Sequence, residues 1–227
     1  MLTPSQKELK RKYVKYLNAT ERVDVNMIVD CIQNYDVAEV DFTDKVCLDL
    51  GGNVGGFTKI AIDRGAKKVI TVECDIRNYS KMVESFSAEP KAEILHAAVS
   101  NNTFPTIRIY KGDSQQAHCS VSILKRSRFN DYDEVTNVNI QTLLDTYKPD
   151  IIKIDIEGAE YDITEAIEAY YPEALFMEMH MGTVKQHCQP TLERLMHLYP
   201  ENHIKELQVF QKVSGYDCWF KKSNEDE

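Results

Sequence analysis

The most constraining feature of this sequence is an alternation, from residue 45 onward, between short apolar segments and stretches with apolar residues at helical spacing. The apolar segments predict five strands: Val46–Leu50, Val69–Glu73, Ala92–Ala97, Ile151–Asp155 and Ala174–His180. The stretches between them predict helices at residues 57–64, 78–88 and 160–170. Strands that alternate with helices form β-α-β units. The sequence therefore predicts an α/β fold with a doubly wound, mostly parallel sheet and helices on both faces.

The N-terminal region departs from this alternation. Residues 5–17 predict one helix, and Thr20 is placed to cap a second helix that carries an apolar stripe. We interpret residues 1–40 as a helical extension and residues 41–227 as the domain that holds the sheet. The two helices are expected to cover a sheet edge or the mouth of a cofactor site, or to serve packing alone.

Two later segments also interrupt the alternation. Residues 104–140 predict extra strands and loops, and residues 203–221 predict a terminal hairpin that turns at Ser214-Gly215. In a doubly wound sheet, ligands bind outside the carboxyl ends of the strands, near the point at which the strand order reverses. Functional residues are therefore expected where the predicted strands end.

The charge of the chain narrows the choice of partners. The formal charge is −9 over 227 residues, and because residues 1–22 hold six basic and two acidic side chains, the remainder carries −13. A region with this negative charge repels nucleic acid, so no nucleic-acid partner is expected. Basic residues at 7–15 and at Lys125, Arg126 and Arg128 could form local patches, although runs of this kind are more often solvated surface.

Hydropathy and cysteine usage bear on where the protein works. No apolar stretch approaches the roughly 18 residues of a membrane-spanning helix, and the N-terminus lacks the apolar core of a signal peptide. The six cysteines include no C-x-x-C pair, which predicts reduced thiols rather than a zinc site or a disulfide framework. The sequence thus predicts a cytoplasmic protein without a membrane span.

A glycine-rich loop directly follows the first strand and opens into a helix. Residues 49–56 read Asp-Leu-Gly-Gly-Asn-Val-Gly-Gly. Small residues let the backbone approach a ligand closely, and a helix N-terminus offers unpaired N–H groups. The loop therefore predicts a nucleotide-type cofactor, with a tight turn that binds nothing as the alternative. The expected contacts in this loop are Gly51, Asn53, Gly55, Gly56 and Phe57.

Charge and spacing favour S-adenosylmethionine over a dinucleotide. The dinucleotide fingerprint G-x-G-x-x-G, started at Gly51, requires glycine at position 53, where this chain has Asn53. Asp49 would also repel a diphosphate, whereas it would attract the ammonium and sulfonium of S-adenosylmethionine. The carboxylate of that cofactor can use the helix N–H groups. We therefore predict S-adenosylmethionine with Asp49 among its contacts, and an NAD-dependent oxidoreductase is the alternative of the same fold class.

The end of the second predicted strand supplies a ribose-binding candidate. Glu73 lies 22 residues after Gly51, close to the spacing of about 20 residues at which an acidic residue binds ribose hydroxyls. A carboxylate accepts two hydroxyl hydrogen bonds at once. We predict Glu73 at the ribose, Cys74 beside the adenine, and Ala98, just beyond the third strand, as a further cofactor contact.

Several segments taken together resemble a known family. They are Val46–Thr58, Val72–Asp75, Leu143–Asp145, Lys153–Glu160 and Phe176–His180. The segment Lys153–Glu160, which reads KIDIEGAE, is far more specific than any glycine loop. On these residues the chain resembles class I S-adenosylmethionine-dependent methyltransferases and, more narrowly, the FkbM family, from about residue 45 to residue 180.

The resemblance implies a Rossmann-like class I methyltransferase fold, in which a seven-stranded sheet has one antiparallel strand near its C-terminal edge. The predicted terminal hairpin could supply that strand. The resemblance also implies O-methylation, typically of sugar or polyketide hydroxyls, so the expected partner is a small-molecule or glycan hydroxyl acceptor such as a deoxyhexose. The alternative from a different class is a non-catalytic cofactor-binding module that docks through its basic N-terminal helix.

Methyl transfer to a hydroxyl requires alignment of the acceptor and a base that removes its proton. The candidate bases are His180 and Asp155, and Asp155 is also placed to hold the ammonium of the cofactor or to orient the acceptor. Lys153 lies on the same side of its strand as Asp155 and could pair with it. Glu157 and Glu160 follow in the turn, where one is expected to contact sugar hydroxyls and the other to cap the next helix.

Glu178 is the remaining candidate for the catalytic site. Together with Asp155, Glu157 and His180 it could form a divalent metal site, since hard cations such as Mg²⁺ prefer carboxylate and water ligands. No spacing in the sequence requires a metal. The sequence therefore predicts an enzyme that uses S-adenosylmethionine, and a divalent metal is the less favoured alternative.

Overall fold

A computed structural model describes residues 2–111, 131–181, 185–209 and 212–223. The basic residues Lys125, Arg126 and Arg128 lie outside these ranges. The helices within the ranges are α1 (Pro4–Tyr16), α2 (Arg22–Tyr35), α3 (Gly56–Asp63), α4 (Ile76–Ser85), α5 (Ile140–Tyr147), α6 (Glu160–Tyr170) and α7 (Lys185–Leu198). The strands are β1 (Val46–Leu50), β2 (Lys68–Glu73), β3 (Ala92–His96), β4 (Ala98–Ser100), β5 (Thr106–Lys111), β6 (Asp131–Asn139), β7 (Ile151–Ile154), β8 (Ala174–His180), β9 (Glu201–Val209) and β10 (Lys212–Lys221).

Seven of these strands form one sheet in the order β3-β2-β1-β7-β8-β10-β9. All of them run parallel except β10, which is antiparallel to both of its neighbours. The doubly wound, mostly parallel sheet with one antiparallel strand is thus confirmed. The strand order reverses between β1 and β7, which is where such a sheet binds ligands.

The extra strands predicted within residues 104–140 are confirmed as well. A small second sheet has the order β4-β6-β5, in which β4 and β6 are parallel and β5 and β6 are antiparallel. It continues from the end of β3, next to the carboxyl ends of the main strands.

The terminal hairpin is confirmed, but the predicted turn at Ser214-Gly215 is wrong. Both residues belong to β10, and the pairing of β10 with β9 shifts register between Val213 and Gly215. Gly215 is required here because a Cβ at this position would collide with the carbonyl oxygen of Met179 in β8. A glycine in the sequence can mark either a turn or a close approach of two strands, and here it marks the second.

The N-terminal helices pack into the body of the protein. Tyr13, Leu17, Ile28 and Ile32 are buried in one apolar cluster with Phe57 of α3, on the face of the sheet that α1 to α3 cover. This packing places α2 beside the carboxyl ends of the strands. The division into residues 1–40 and 41–227 stays a prediction.

The predicted cap of α2 is wrong. The helix begins at Arg22, so Glu21 rather than Thr20 occupies the N-cap position, and no side chain caps it. A Thr can cap only from the position at which the chain enters the helix.

Two predictions about the chain as a whole can be compared with the described residues. Their longest helices have 14 residues, and none of these helices is long and apolar enough to cross a membrane. The cysteines among them are free thiols, as predicted: Cys31, Cys47, Cys74, Cys188 and Cys218.

Candidate active site

A cavity of about 450 Å³ lies at the carboxyl ends of β1, β2, β7 and β8, where the strand order reverses. Its volume is typical of small-molecule sites. Its lining comes from the glycine loop, the end of β2, residues 97–99, the turn after β7, α2 and the β9–β10 hairpin. The predicted site residues that line it are Gly51, Asn53, Phe57, Glu73, Cys74, Ala98, Lys153, Asp155, Glu157 and Glu178. Four predicted residues do not: Asp49, Gly55, Gly56 and His180.

The backbone N–H groups of residues 51–55 in the glycine loop all donate hydrogen bonds. The backbone nitrogens of residues 51 and 52 both donate to the carbonyl oxygen of Val72, and that of Asn53 donates to the Glu73 carboxylate at 2.7 Å. The nitrogens of residues 54 and 55 bond within the loop. Gly51 has a φ of +84°, and a Cβ there would collide with the carbonyl oxygen of Asp155. The loop therefore provides a close-packed wall, and binding of the cofactor carboxylate by the N–H groups at the start of α3 stays a prediction.

Asp49 forms a buried ion pair beneath the cavity instead of facing a cofactor. Its side chain is fully buried, accepts a hydrogen bond from Thr58 Oγ1 at 2.9 Å and lies 3.3 Å from Lys153 Nζ. Because side chains alternate along a strand, Asp49 points to the face that α3 covers. Burial raises the pKa of Asp49, and the Lys153 cation opposes that shift. The structure thus places Asp49 outside the cavity lining, and its direct contact with the cofactor stays a prediction.

Lys153 ties the loop to the centre of the site. Its Nζ donates to the carbonyl oxygen of Gly51 at 2.5 Å and lies 3.7 Å from Asp155 Oδ2, so the predicted pairing with Asp155 is confirmed. Burial lowers the pKa of Lys153, but the carboxylates of Asp49 and Asp155 outweigh it and the pKa lies above its usual value. A cation fixed in this way holds neighbouring groups in place and is unsuited to accept a proton.

Glu73 lines the cavity from the end of β2. Its two oxygens accept backbone hydrogen bonds from Asn53 and Asp75, both at 2.7 Å. Burial raises its pKa to about 7, and the two backbone donors oppose that shift. Each carboxylate oxygen keeps a further lone pair, so the group is oriented and still able to accept hydroxyl hydrogen bonds.

Glu178 lies toward the end of β8 and lines the cavity. Its side chain is 26% exposed, and its Oε1 lies 3.2 Å from His180 Nε2. Burial raises its pKa to about 7, with the charge of Asp155 as the next cause, while His180 opposes the shift. A carboxyl group that titrates near neutral pH and faces a cavity is suited to general base catalysis.

His180 is held between carboxylates at the end of β8. Its Nδ1 lies 2.9 Å from Glu160 Oε1, and its Nε2 lies 3.2 Å from Glu178 and 3.6 Å from Glu157. Burial lowers the pKa of His180, but the charges of Glu160 and Glu178 outweigh it and hold the pKa well above the usual value. Both ring nitrogens therefore contact carboxylates. A histidine held in this way, outside the cavity lining, is poorly placed to accept the proton of an acceptor, so the geometry disfavours His180 as the base.

Glu157 and Glu160, which follow β7, lie in different environments. Glu160 is fully buried at the start of α6, where its Oε1 accepts hydrogen bonds from the backbone nitrogens of Ile156 and Gly158. Glu157 has a φ of +58° and lines the cavity. Glu160 therefore organises the turn, but the predicted capping of the next helix is wrong, because no side chain caps α6. The contact of Glu157 with sugar hydroxyls stays a prediction.

Among the described residues, Asp155, Glu178 and His180 bring ligand atoms within 4.8 Å of one another. Carboxylate and imidazole groups at this separation fit a divalent cation. The His180 nitrogens, however, already contact Glu160 and Glu178. The donor set can thus be explained by ion pairing without a metal.

Sequence reasoning missed the side of the cavity that α2 and the hairpin supply. The residues involved are Met27, Asp30, Cys31, Asn34 and Tyr35 from α2, and Lys205, Leu207 and Asp217 from the hairpin. No motif marks them, because they meet the site only through packing of segments far apart in the chain. The one signal was the expectation that the N-terminal helices cover a cofactor site.

Solved structures share the fold of this chain. PH1948 of Pyrococcus horikoshii, provisionally assigned as an RNA methyltransferase, aligns with a TM-score of 0.52 at 15% identity, covering 99% of both chains. An FkbM methyltransferase of Methylobacillus flagellatus KT aligns with a TM-score of 0.54 at 13% identity, covering 92% of this chain and 59% of that one. A precorrin-6y C5,15-methyltransferase of Geobacter metallireducens GS-15 aligns with a TM-score of 0.50 at 11% identity, covering 86% and 88%. Such low identities support a common Rossmann-like class I methyltransferase fold and nothing finer.

The family is given by the sequence itself. A search of curated proteins found no significant match. The model of the methyltransferase FkbM domain, in contrast, matches residues 49–211, which span the glycine loop, the KIDIEGAE segment and all of β9. The chain therefore belongs to the FkbM methyltransferase family and uses S-adenosylmethionine as its methyl donor.

Proposed function

We propose that this protein is an O-methyltransferase that acts on a hydroxyl group of a sugar, for example a deoxyhexose, in a glycan or glycosylated metabolite. The observation that carries the proposal is the placement of Glu178. This carboxyl group lines the cavity from β8, and burial raises its pKa to about 7. It is thus suited to take the proton of a hydroxyl at neutral pH.

The cofactor side of the cavity fits S-adenosylmethionine. Glu73 would hold the ribose hydroxyls, Cys74 and Ala98 would lie beside the adenine, and Asp155 would hold the ammonium group. The oriented, buried Glu73 carboxylate is the observation that supports this fit. When bound, S-adenosylmethionine supplies a methyl group on a positively charged sulfur.

The residues of the chain align the acceptor and remove its proton. Glu178 accepts the hydroxyl proton as the acceptor oxygen gains the methyl group. His180 holds the Glu178 carboxylate at 3.2 Å and is itself held by Glu160. This row of carboxylate, imidazolium and carboxylate fixes the base in position, so His180 is a positioning residue in this mechanism.

The part of the cavity that α2 and the β9–β10 hairpin form is polar and acidic, which supports a neutral hydroxylated acceptor. Asp30, Asn34, Lys205 and Asp217 line it and can hydrogen-bond to hydroxyl groups. Phosphate groups would be repelled by the carboxylates, which argues against RNA as the acceptor. The cytoplasmic location predicted from the sequence belongs to the same proposal.

Replacing Glu178 by Gln tests the proposal. The amide cannot take the proton, so we expect kcat for methyl transfer to a methyl deoxyhexoside to fall by about a hundredfold to ten-thousandfold. S-adenosylmethionine affinity, measured by calorimetry, is expected to stay within about threefold of wild type because Glu178 is not among the proposed cofactor contacts. Glu165→Gln, at an exposed position of α6, is the matched control and should change neither quantity.

Two results would contradict this assignment. Undiminished turnover by the Glu178→Gln variant would remove Glu178 as the base. A wild-type protein that binds S-adenosylmethionine but methylates none of a broad panel of hydroxylated acceptors would favour the non-catalytic module instead.

The mechanism uses no metal, so chelation gives an independent check. We expect kcat to be the same in EDTA and in Mg²⁺, because ion pairing accounts for Asp155, Glu178 and His180. A loss of turnover in EDTA that Mg²⁺ restores would assign these three side chains to a cation instead.

A further inference from the structure

A second pocket of about 220 Å³ adjoins the cavity between α2 and the β9–β10 hairpin. Asn34, Tyr35, Lys205 and Asp217 line both spaces. The two spaces meet at these four residues, and the second pocket together with this junction is called the groove below. None of the proposed catalytic residues lines the second pocket.

One wall of this groove is formed by alternate residues of β9 and β10 in the hairpin. Lys205 pairs with Asp217 across the two strands, and His203 pairs with Trp219 one step further from the cavity. Because side chains alternate along strands, these four side chains share one face. The face is the one toward α2, since Lys205 Nζ donates to Asn34 Oδ1 at 2.9 Å.

The chemistry of the groove changes along its length. At the junction with the cavity, Lys205 holds Asn34 and lies 3.5 Å from Asp217 Oδ2. Further out, the rings of His203 and Trp219 are nearly parallel, with an interplanar angle of 19° and centroids 6.2 Å apart. An outer aromatic wall beside fixed polar groups suits a ring that has an apolar face and a hydroxylated rim, which is the chemistry of a sugar.

We propose that this groove is an acceptor subsite that binds the sugar unit next to the one that is methylated. The inference rests on the proposed function and deepens it, since it makes the preferred acceptor an oligosaccharide of at least two units. The neighbouring sugar lies against Trp219 and His203, while Asn34, Lys205 and Asp217 bind hydroxyl groups at the junction.

Acceptor length provides the kinetic test. The probes are the methyl glycosides of rhamnose and fucose and disaccharides that carry the same sugar at the non-reducing end. We expect the wild type to have a higher kcat/KM for a disaccharide than for its monosaccharide. Trp219→Leu should lower that ratio about fivefold, the effect of one lost aromatic stacking contact, and Trp219→Phe should restore most of it. Phe104→Leu, which changes an exposed aromatic residue outside both pockets, should leave the ratio unchanged.

Trp219 is the single tryptophan of the chain, which gives a second readout. In the presence of S-adenosylhomocysteine, the disaccharide should change the intrinsic fluorescence and the monosaccharide should change it much less. If Trp219→Leu does not fold, His203→Ala carries the kinetic test, because His203 is exposed and its removal is tolerated more readily.

The outcomes separate this inference from the proposed function. Transfer to monosaccharide and disaccharide with equal kcat/KM, and with no effect of the Trp219 and His203 variants, would overturn the subsite and leave the O-methyltransferase intact. Transfer to no sugar at all would overturn the proposed function and the subsite with it. Preferential transfer to RNA would do the same.

Discussion

At the scale of single residues, burial and partners decide which acidic or basic group can do chemistry. Glu178 and His180 are two positions apart on β8, yet only the carboxylate lines the cavity. The imidazole lies between Glu160 and Glu178, which hold its pKa well above the usual value although burial lowers it. In the proposed mechanism His180 therefore positions Glu178 and does not itself take the proton of the acceptor.

The pH dependence of kcat/KM tests this division of roles. An acid with a raised pKa is protonated below that pKa, so Glu178 is an active base only above about pH 7. With saturating cofactor we expect kcat/KM for the acceptor to rise with pH and to level off above about 7. His180→Gln removes a charge that lowers the Glu178 pKa, so the rising limb should move to higher pH. A limb that stays in place would show that His180 has no influence on the base.

At the scale of elements, the neighbouring strands β1 and β7 place an ion pair under the site. Their register puts Asp49 directly opposite Lys153. From there Lys153 reaches the carbonyl oxygen of Gly51, so one cation links the strand pair to the glycine loop. The two motifs that resemble the family are therefore joined by a contact that neither motif contains.

Lys153→Met tests this buried pair. It leaves the buried Asp49 carboxylate charged without a cation beside it, so the free energy of unfolding at about pH 8 should fall by about 3–5 kcal/mol. Asp49 then binds a proton more tightly when folded than when unfolded, so the loss should be smaller at about pH 5. Urea unfolding measures both values. The double variant Asp49→Asn with Lys153→Met should be more stable than Lys153→Met alone, and equal stability would contradict a coupled pair.

At the scale of the whole molecule, an aromatic cluster fixes α2 and α3 to the sheet. Tyr35, Phe42, Phe57 and Phe176 pack with ring centroids 5.7–6.1 Å apart. Phe176 is fully buried on β8 and contacts the other three. The wall that α2 contributes to the cavity depends on this cluster.

Phe176→Ala should therefore destabilise the protein strongly. Removal of a fully buried ring leaves a cavity, and the free energy of unfolding is expected to fall by about 3–5 kcal/mol. Phe104→Ala, at a side chain that is 71% exposed, should change it by less than about 0.5 kcal/mol. Equal losses for the two variants in urea unfolding would mean that the cluster does not hold the fold.

The sequence by itself determined the parallel strands, the terminal hairpin, five of the seven helices among the described residues, the position of the cavity and the family, whereas α5 and α7 were not predicted. Alternation between strands and helices, the glycine loop and the KIDIEGAE segment are local patterns, and local backbone preferences act over a few residues. The ends of the first, second, fourth and fifth predicted strands do meet at one cavity, and Gly51, Glu73, Asp155 and Glu178 line it as predicted.

Only the tertiary structure decided which acidic groups face a ligand. It placed the Asp49 side chain in a buried ion pair and His180 between carboxylates, and it brought α2 and the hairpin to the cavity. Lys205 and Asn34 are 171 residues apart and still share a hydrogen bond. Burial and charge partners of this kind arise from contacts between distant segments, and no local pattern in a single sequence encodes them. The role of each carboxylate is thus set by the packing around it, while the sequence sets where the carboxylates gather.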